Sequence, residues 1–260
     1  LAAQAQLIMY DTVGSGSGAS TLVKLDPDTG ALIQTIGSVG YTVNGLEWAN
    51  GKLYASTSAN DANFPSGLLE INTLTGQGTP IGTGFNAPDQ AVVSITSNSS
   101  GQLYGWVEPS VDSLAIIDPV TDLATLLGDS DLSTWTLGLA FDANDNLFLV
   151  NGDGEVYSID PANSAATYLY DLTTMAHHGD FNPLNGRYYG ITSPWETTKS
   201  LIVADLGLSS GSVVATLPTV DNLHTITFAV VPEPAQATAI ASLVLLGFVL
   251  LRRRPGGMSR

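Results

Sequence analysis

Thr21–Gly30 reads TLVKLDPDTG, and its form returns four more times along the chain. The echoes are GLLEINTLTG (67–76), SLAIIDPVTD (113–122), EVYSIDPANS (155–164) and SLIVADLGLS (200–209). Each alternates for a strand's length, reaches an Asp or Asn, and mostly passes into a Pro/Thr/Gly turn. The turn-entry residues are Asp26, Asn72, Asp118, Asp160 and Asp205, spaced 46, 46, 42 and 45 apart. A period of this size marks a repeat architecture in which each repeat is one supersecondary unit. Asp or Asn at such a turn can bond the backbone two residues on, so the recurrence reads as structural rather than as a site.

A second family of segments lies between these: NGLEWANGKLYAS (44–56), VVSITSNSSGQLYGW (92–106), LGLAFDANDNLFLV (137–150) and HGDFNPLNGRYYGI (178–191). Each reads as a strand, a polar turn and a second strand. About four short strands per period is the pattern of a β-propeller blade. The last such strand, His224–Val230 (HTITFAV), has no second strand after it, while Leu7–Val13 (LIMYDTV) resembles the missing one. Pairing them completes a fifth blade and removes an exposed sheet edge. The expectation is an all-β, five-bladed β-propeller over residues 7–230, closed by its N- and C-terminal strands. A β-sandwich is the alternative, but it leaves the period unexplained.

The chain has 260 residues, 44% of them hydrophobic, ample for one core. It has no cysteine, which neither marks nor excludes an oxidising compartment. Up to Val231, 23 acidic residues stand against only Lys24, Lys52, Arg187 and Lys199. So acidic a body repels nucleic acid and anionic headgroups, which argues against DNA or RNA binding and suits an exported protein or one that collects cations. Residues 1–6 read as the small-residue end of a secretory signal peptide, with an A-x-A pattern at Ala3 and Ala5.

The C-terminal 30 residues differ in kind. Val231-Pro232-Glu233-Pro234 precedes 17 uncharged residues, 235–251, and then Arg252, Arg253 and Arg254. As a helix the uncharged run would reach about 25 Å, a little short of the ~30 Å hydrocarbon core. The arginines would stay cytoplasmic and the acidic body outside. This ending resembles the PEP-CTERM sorting signal of Gram-negative bacteria, with its three parts in the same order. The resemblance implies recognition of the Pro-Glu-Pro by an exosortase, a membrane protease-transpeptidase thought to cleave near it, in bacteria that make exopolysaccharide and biofilm matrix. It implies an inner-membrane-tethered precursor, then a cell-surface or extracellular protein, and it is silent on what residues 7–230 do.

Inner strands are expected to end at Trp48, Ile95, Phe141, Phe181 and Phe228 and to line the central channel. Four residues earlier stand Asn44, Ala91, Leu137, His177 and His224. Two histidines thus take equivalent places in the blades that meet at the closure, with His178 adjacent and Asp180 on the same strand. Imidazole with carboxylate could hold a divalent metal or act as an acid/base pair. Alternatively, these are polar residues satisfied by backbone or water at the rim. Tight metal motifs such as His-Glu-x-x-His are absent, so no cofactor is expected beyond that metal.

Glu47 and Asp180 fall at corresponding positions on different inner strands. Five-bladed propellers include glycoside hydrolases with inner-strand carboxylates, a likeness of fold that makes these two the candidate catalytic acids. No Gly-x-Ser-x-Gly elbow or cysteine nucleophile occurs. Asp142–Asn146 reads as a turn rather than a calcium loop, having Leu147 at the sixth position and Asp153 at the twelfth. Trp106, Trp135, Trp195 and Tyr41 could stack on sugar faces or fill gaps between blades. The functional expectation is a non-enzymatic exported propeller acting as a binding or structural module. Its expected partners are the exosortase, and exopolysaccharide or a second surface protein. The alternative is a secreted glycosidase- or lactonase-like hydrolase with its site at the channel mouth around His177, His178, Asp180 and His224.

Overall fold

The computed structural model describes residues 6–14, 18–86, 91–108, 112–192 and 198–231. Residues Ile8–Ala229 form one compact unit. Of the other, Leu1–Leu7 with Val230–Arg260, only the strand residues Gln6, Leu7, Val230 and Val231 are described. Pro232, Glu233, Pro234, Arg252, Arg253, Arg254 and the helix expected at 235–251 lie outside the described residues. Among those that are described, no helix is long and apolar enough to cross a membrane.

Among the described residues, twenty strands form five four-stranded sheets, one per blade. The first joins β1 (Gln6–Val13), β2 (Thr21–Leu25) and β3 (Leu32–Ser38) to β20 (Leu223–Val231), in the order β20-β1-β2-β3. The second runs β4 (Val43–Ala49), β5 (Lys52–Thr57), β6 (Leu68–Ile71), β7 (Gly78–Ile81), and the third β8 (Ala91–Ser97), β9 (Leu103–Glu108), β10 (Ser113–Ile117), β11 (Ala124–Leu126). The fourth holds β12 (Gly138–Phe141), β13 (Leu147–Val150), β14 (Glu155–Ile159) and β15 (Ala166–Asp171). The fifth holds β16 (His177–Phe181), β17 (Tyr188–Ile191), β18 (Ser200–Leu206) and β19 (Gly211–Pro218). This is an all-β, five-bladed propeller arrangement. β4 packs on β8, β8 on β12 and β12 on β16, so in the second to fifth blades the first strand is innermost.

The third and fourth blades each lie between two others, so both faces of their middle strands are buried, as in Leu147–Val150 (LFLV). The core is accordingly a series of seams. Tyr54, Leu68, Val92 and Ile117 fill the one between the second and third blades. Trp106, Leu139 and Phe141 fill the next, and Phe148, Phe181 and Tyr188 the one after.

The repeating turns show their use at the rim. Asp26 Oδ1 accepts from the backbone N–H groups of Asp28 and Thr29, Asn72 Oδ1 from Leu74 and Thr75, and Asp118 Oδ1 from Val120 and Thr121. Asp160 Oδ1 accepts from Ala162. The turns then dock on the outer strand of the preceding blade. Gly37 in β3 lies against the carbonyl of Thr75, and Gly128 against that of Asn163, both too close to admit a Cβ. Asp205 departs from the expectation, for it lies within β18 and its carboxylate pairs with Arg187 at 3.0 Å.

The inner-strand alignment needs one correction. Trp48, Phe141 and Phe181 pair with the leading apolar or aromatic residue of their second strands, Leu53, Leu147 and Tyr188, but in the third blade Ser97 takes that place, opposite Leu103. Ile95 sits two residues deeper, opposite Gly105. An apolar residue at the expected spacing had suggested the wrong anchor, because β8 continues two residues further before its turn.

Candidate functional site

The inner strands carry polar side chains that bond to the neighbouring inner strand. In β8, the hydroxyls of Ser94 and Thr96 accept from the backbone N–H groups of Leu139 and Phe141 in β12, each at 3.3 Å. The N–H of His178 in β16 donates to the carbonyl of Leu137 at 3.2 Å. Asp180 Oδ2 accepts from Phe228 N–H in β20 at 3.0 Å, and Thr227 Oγ1 accepts from Trp48 N–H in β4 at 3.1 Å. Ser97 donates to Glu47 Oε1 at 2.6 Å.

Glu47 and Asp180, far apart in sequence, meet across Thr227. Its hydroxyl lies 3.1 Å from Asp180 Oδ2 and 3.4 Å from Glu47 Oε2. Asp180 Oδ1 also accepts from Phe181 N–H at 2.7 Å. Glu47 is 7% exposed. Burial, joined by repulsion from Asp180, pushes the Glu47 carboxyl well above the usual range. Burial takes Asp180 up to about 6, against the opposing hydrogen bonds from Phe228, Phe181 and Thr227. The pair therefore holds a proton to higher pH than isolated carboxyls would. Thr227 stands one residue before Phe228, as Glu47 and Asp180 stand before Trp48 and Phe181; that register was the available sequence signal for it.

The histidines lie together. The rings of His177 and His178 are 5.1 Å apart, and those of His178 and His224 are 4.7 Å apart. Burial, with His224 and Lys199 as neighbours, brings His177 down to about 3, and burial and Lys199 bring His224 to about 4. His178 is held well below its usual value for the same reasons. All three are neutral imidazoles at neutral pH. Among the described residues, no group of three or more His, Cys, Asp or Glu side chains is arranged to hold a metal ion. Lys199 is buried beside the cluster and was not anticipated.

The other residues singled out in the sequence fall elsewhere. Asp142 Oδ1 accepts from the N–H groups of Asn144 and Asn146, which makes that segment a turn. Trp106 is fully buried in a seam, its Nε1–H on Thr134 Oγ1 at 2.9 Å. Tyr41 packs edge-on against Phe64 at 6.4 Å, Trp135 is half-buried, and Trp195 lies outside the described residues. Asp11 is fully buried, with neither carboxylate oxygen bonded among the described residues, and burial keeps its carboxyl well above the usual range.

No family model and no curated protein matches the chain. Among solved structures it is similar to a protein of unknown function from Bacteroides caccae, whose crystal structure was determined at 1.35 Å. The identity is 14%, the match covers 82% of this chain and 73% of that one, and the TM-score is 0.47.

Proposed function

We propose that this chain is an exported β-propeller that works as a binding or structural module at the cell surface or in the extracellular matrix. One observation carries the choice of module over enzyme. The oxygens of Glu47 and Asp180 are engaged with Ser97, Thr227, Phe181 and Phe228, so these carboxyls serve as struts between inner strands. The same reading has β20 and β1 shut the ring. Val231–Pro234 and Arg252–Arg254 form the sorting signal, 235–251 inserts transiently in the inner membrane, and the exosortase is the processing partner. Exopolysaccharide or another surface protein is the partner of the mature module. C-terminal peptide mapping by mass spectrometry, on protein from its native host, tests the export route. A last residue near Pro232–Pro234 supports it, whereas peptides through Arg260 recovered from membranes contradict it.

A hydrolase is the second reading, favoured by the carboxyl pair across Thr227. Retaining and inverting glycosidases both need one protonated and one ionised carboxyl flanking the bond. If that reading holds, the native protein hydrolyses at least one of a panel of aryl glycosides, and Glu47→Gln and Asp180→Asn each lose that activity. Absence of turnover by the native protein leaves the struts as the whole role.

A further inference from the structure

A cleft of about 470 Å³ opens to solvent where the first blade meets the second. Its volume falls within the roughly 300–1,000 Å³ of small-molecule sites. One wall is the end of β3 and the segment after it, from Ser38 to Tyr41. The facing wall is Asn63, in the loop between β5 and β6, with Thr75 and Gln77 of the turn between β6 and β7. Val39 and Gly78 make the floor. Val39 is fully buried, and a Cβ at Gly78 would lie 3.1 Å from its side chain.

Backbone bonds fix both walls and leave the lining side chains free to serve a ligand. Gly78 N–H donates to the Val39 carbonyl at 3.0 Å, which ties the walls together at the floor. Asp61, buried and outside the lining, accepts from the N–H groups of Thr42, Asn63 and Phe64 at 2.7, 2.9 and 2.9 Å. It thereby sets the loop that carries Asn63 beside the segment that carries Tyr41. The Ser38 and Thr75 hydroxyls accept from Gly40 N–H and Gln77 N–H, at 3.2 and 3.3 Å, and each retains its own proton to donate. Asn63 and Gln77 are exposed, and each amide offers two donors and an acceptor.

This lining selects a neutral ligand rich in hydroxyls. It contains no Asp, Glu, Lys, Arg or His, so an ionised group would find no counter-charge there, and the acidic body repels anions besides. An extended peptide draws affinity from main-chain bonds, but the backbone groups at the floor already bond each other. A sugar ring carries hydroxyls that donate and accept around its edge, and C–H groups on its faces. The hydroxyls and amides of the cleft match the edge. Tyr41 matches a face. It is half-buried and meets Phe64 edge-on at 6.4 Å, a contact that covers at most one side of its ring.

We propose that this cleft binds one sugar unit of a neutral polysaccharide, with Tyr41 against the ring and Ser38, Asn63, Thr75 and Gln77 around its hydroxyls. This names a ligand class for the binding module above and rests on that reading, though not on the export route. The native protein is titrated with glucose, galactose, mannose, N-acetylglucosamine and sodium glucuronate in turn, and saturation-transfer NMR reads contact at the sugar protons. Saturable transfer to at least one neutral sugar is expected, with glucuronate binding more weakly. Gln77→Ala should weaken that sugar about fivefold, the effect of one lost hydrogen bond, and Tyr41→Ala at least as much. A thermal melt checks each variant, and Gln77→Ala, at an exposed side chain, keeps the test should Tyr41→Ala unfold. Binding that the folded variants leave unchanged would put the sugar elsewhere on the module and overturn this cleft alone. Glucuronate binding more tightly than every neutral sugar, or no transfer to any of them, would overturn the assignment whatever peptide mapping shows of export.

Discussion

At Asp180 and the three histidines, burial acts on stability in opposite directions. Asp180 has a folded value near 6 against an ordinary 3.8, so the fold prefers the protonated acid. Its contribution is fully present below about pH 4 and lost as pH rises through about 6. His177 and His224, at about 3 and about 4 against 6.5, prefer the neutral form. Their contribution is present above pH 6.5 and lost as pH falls towards 4. Asp180→Asn removes only the first effect. Urea melts from pH 4 to 8 should show the variant gaining stability relative to the native protein as pH rises across 4–6.5. Parallel curves would mean that Asp180 does not retain its proton. Tyr188 offers a second test at this scale. Its hydroxyl is buried against Gly138 and Gly179 with no partner among the described residues. Tyr188→Phe should be neutral or stabilising by up to about 1 kcal/mol. A comparable loss in a thermal melt would reveal a partner for that oxygen.

At the scale of elements, the periodic turns carry the rim. Asp118 fixes two backbone N–H groups, at 2.8 and 3.3 Å, and Asp118→Ala should lower stability measurably. Asp205 makes only an exposed pair with Arg187, so Asp205→Ala should cost less than about 0.5 kcal/mol. Equal losses in chemical denaturation would deny the distinction. These turns were legible because Asx chemistry is local and repeats with the blade. The inner strands were legible by pattern, but their ends depend on tertiary pairing, which is why Ser97 rather than Ile95 completes β8. Glu47 and Asp180 were visible as register equivalents. Their meeting across Thr227 was not, because it joins strands of three blades. His178 was read beside His177 without any means to know that a bulge in the ladder between β16 and β17 would turn both rings to one side. Lys199 and Asp11 left no signal, since neither burial nor charge neighbourhood follows from a local pattern.

At the scale of the whole molecule, the account rests on one sheet that holds strands from both ends of the chain, β20-β1-β2-β3. Cyclic packing of blades stabilises each only if no seam is left open, because an unpaired inner edge exposes both backbone groups and apolar faces. Thr12 in β1 and Thr225 in β20 lie with their hydroxyl oxygens 2.8 Å apart, and both residues are buried. The chain has no cysteine, so a pair introduced there reports without competition. The direct measurement is non-reducing mass spectrometry of the Thr12→Cys/Thr225→Cys double variant after mild oxidation, together with its thermal melt. The account predicts a complete intramolecular disulfide and a higher melting temperature, because the cross-link constrains only the unfolded chain. Free thiols, or cross-links only between molecules, would contradict a ring closed by its own two ends.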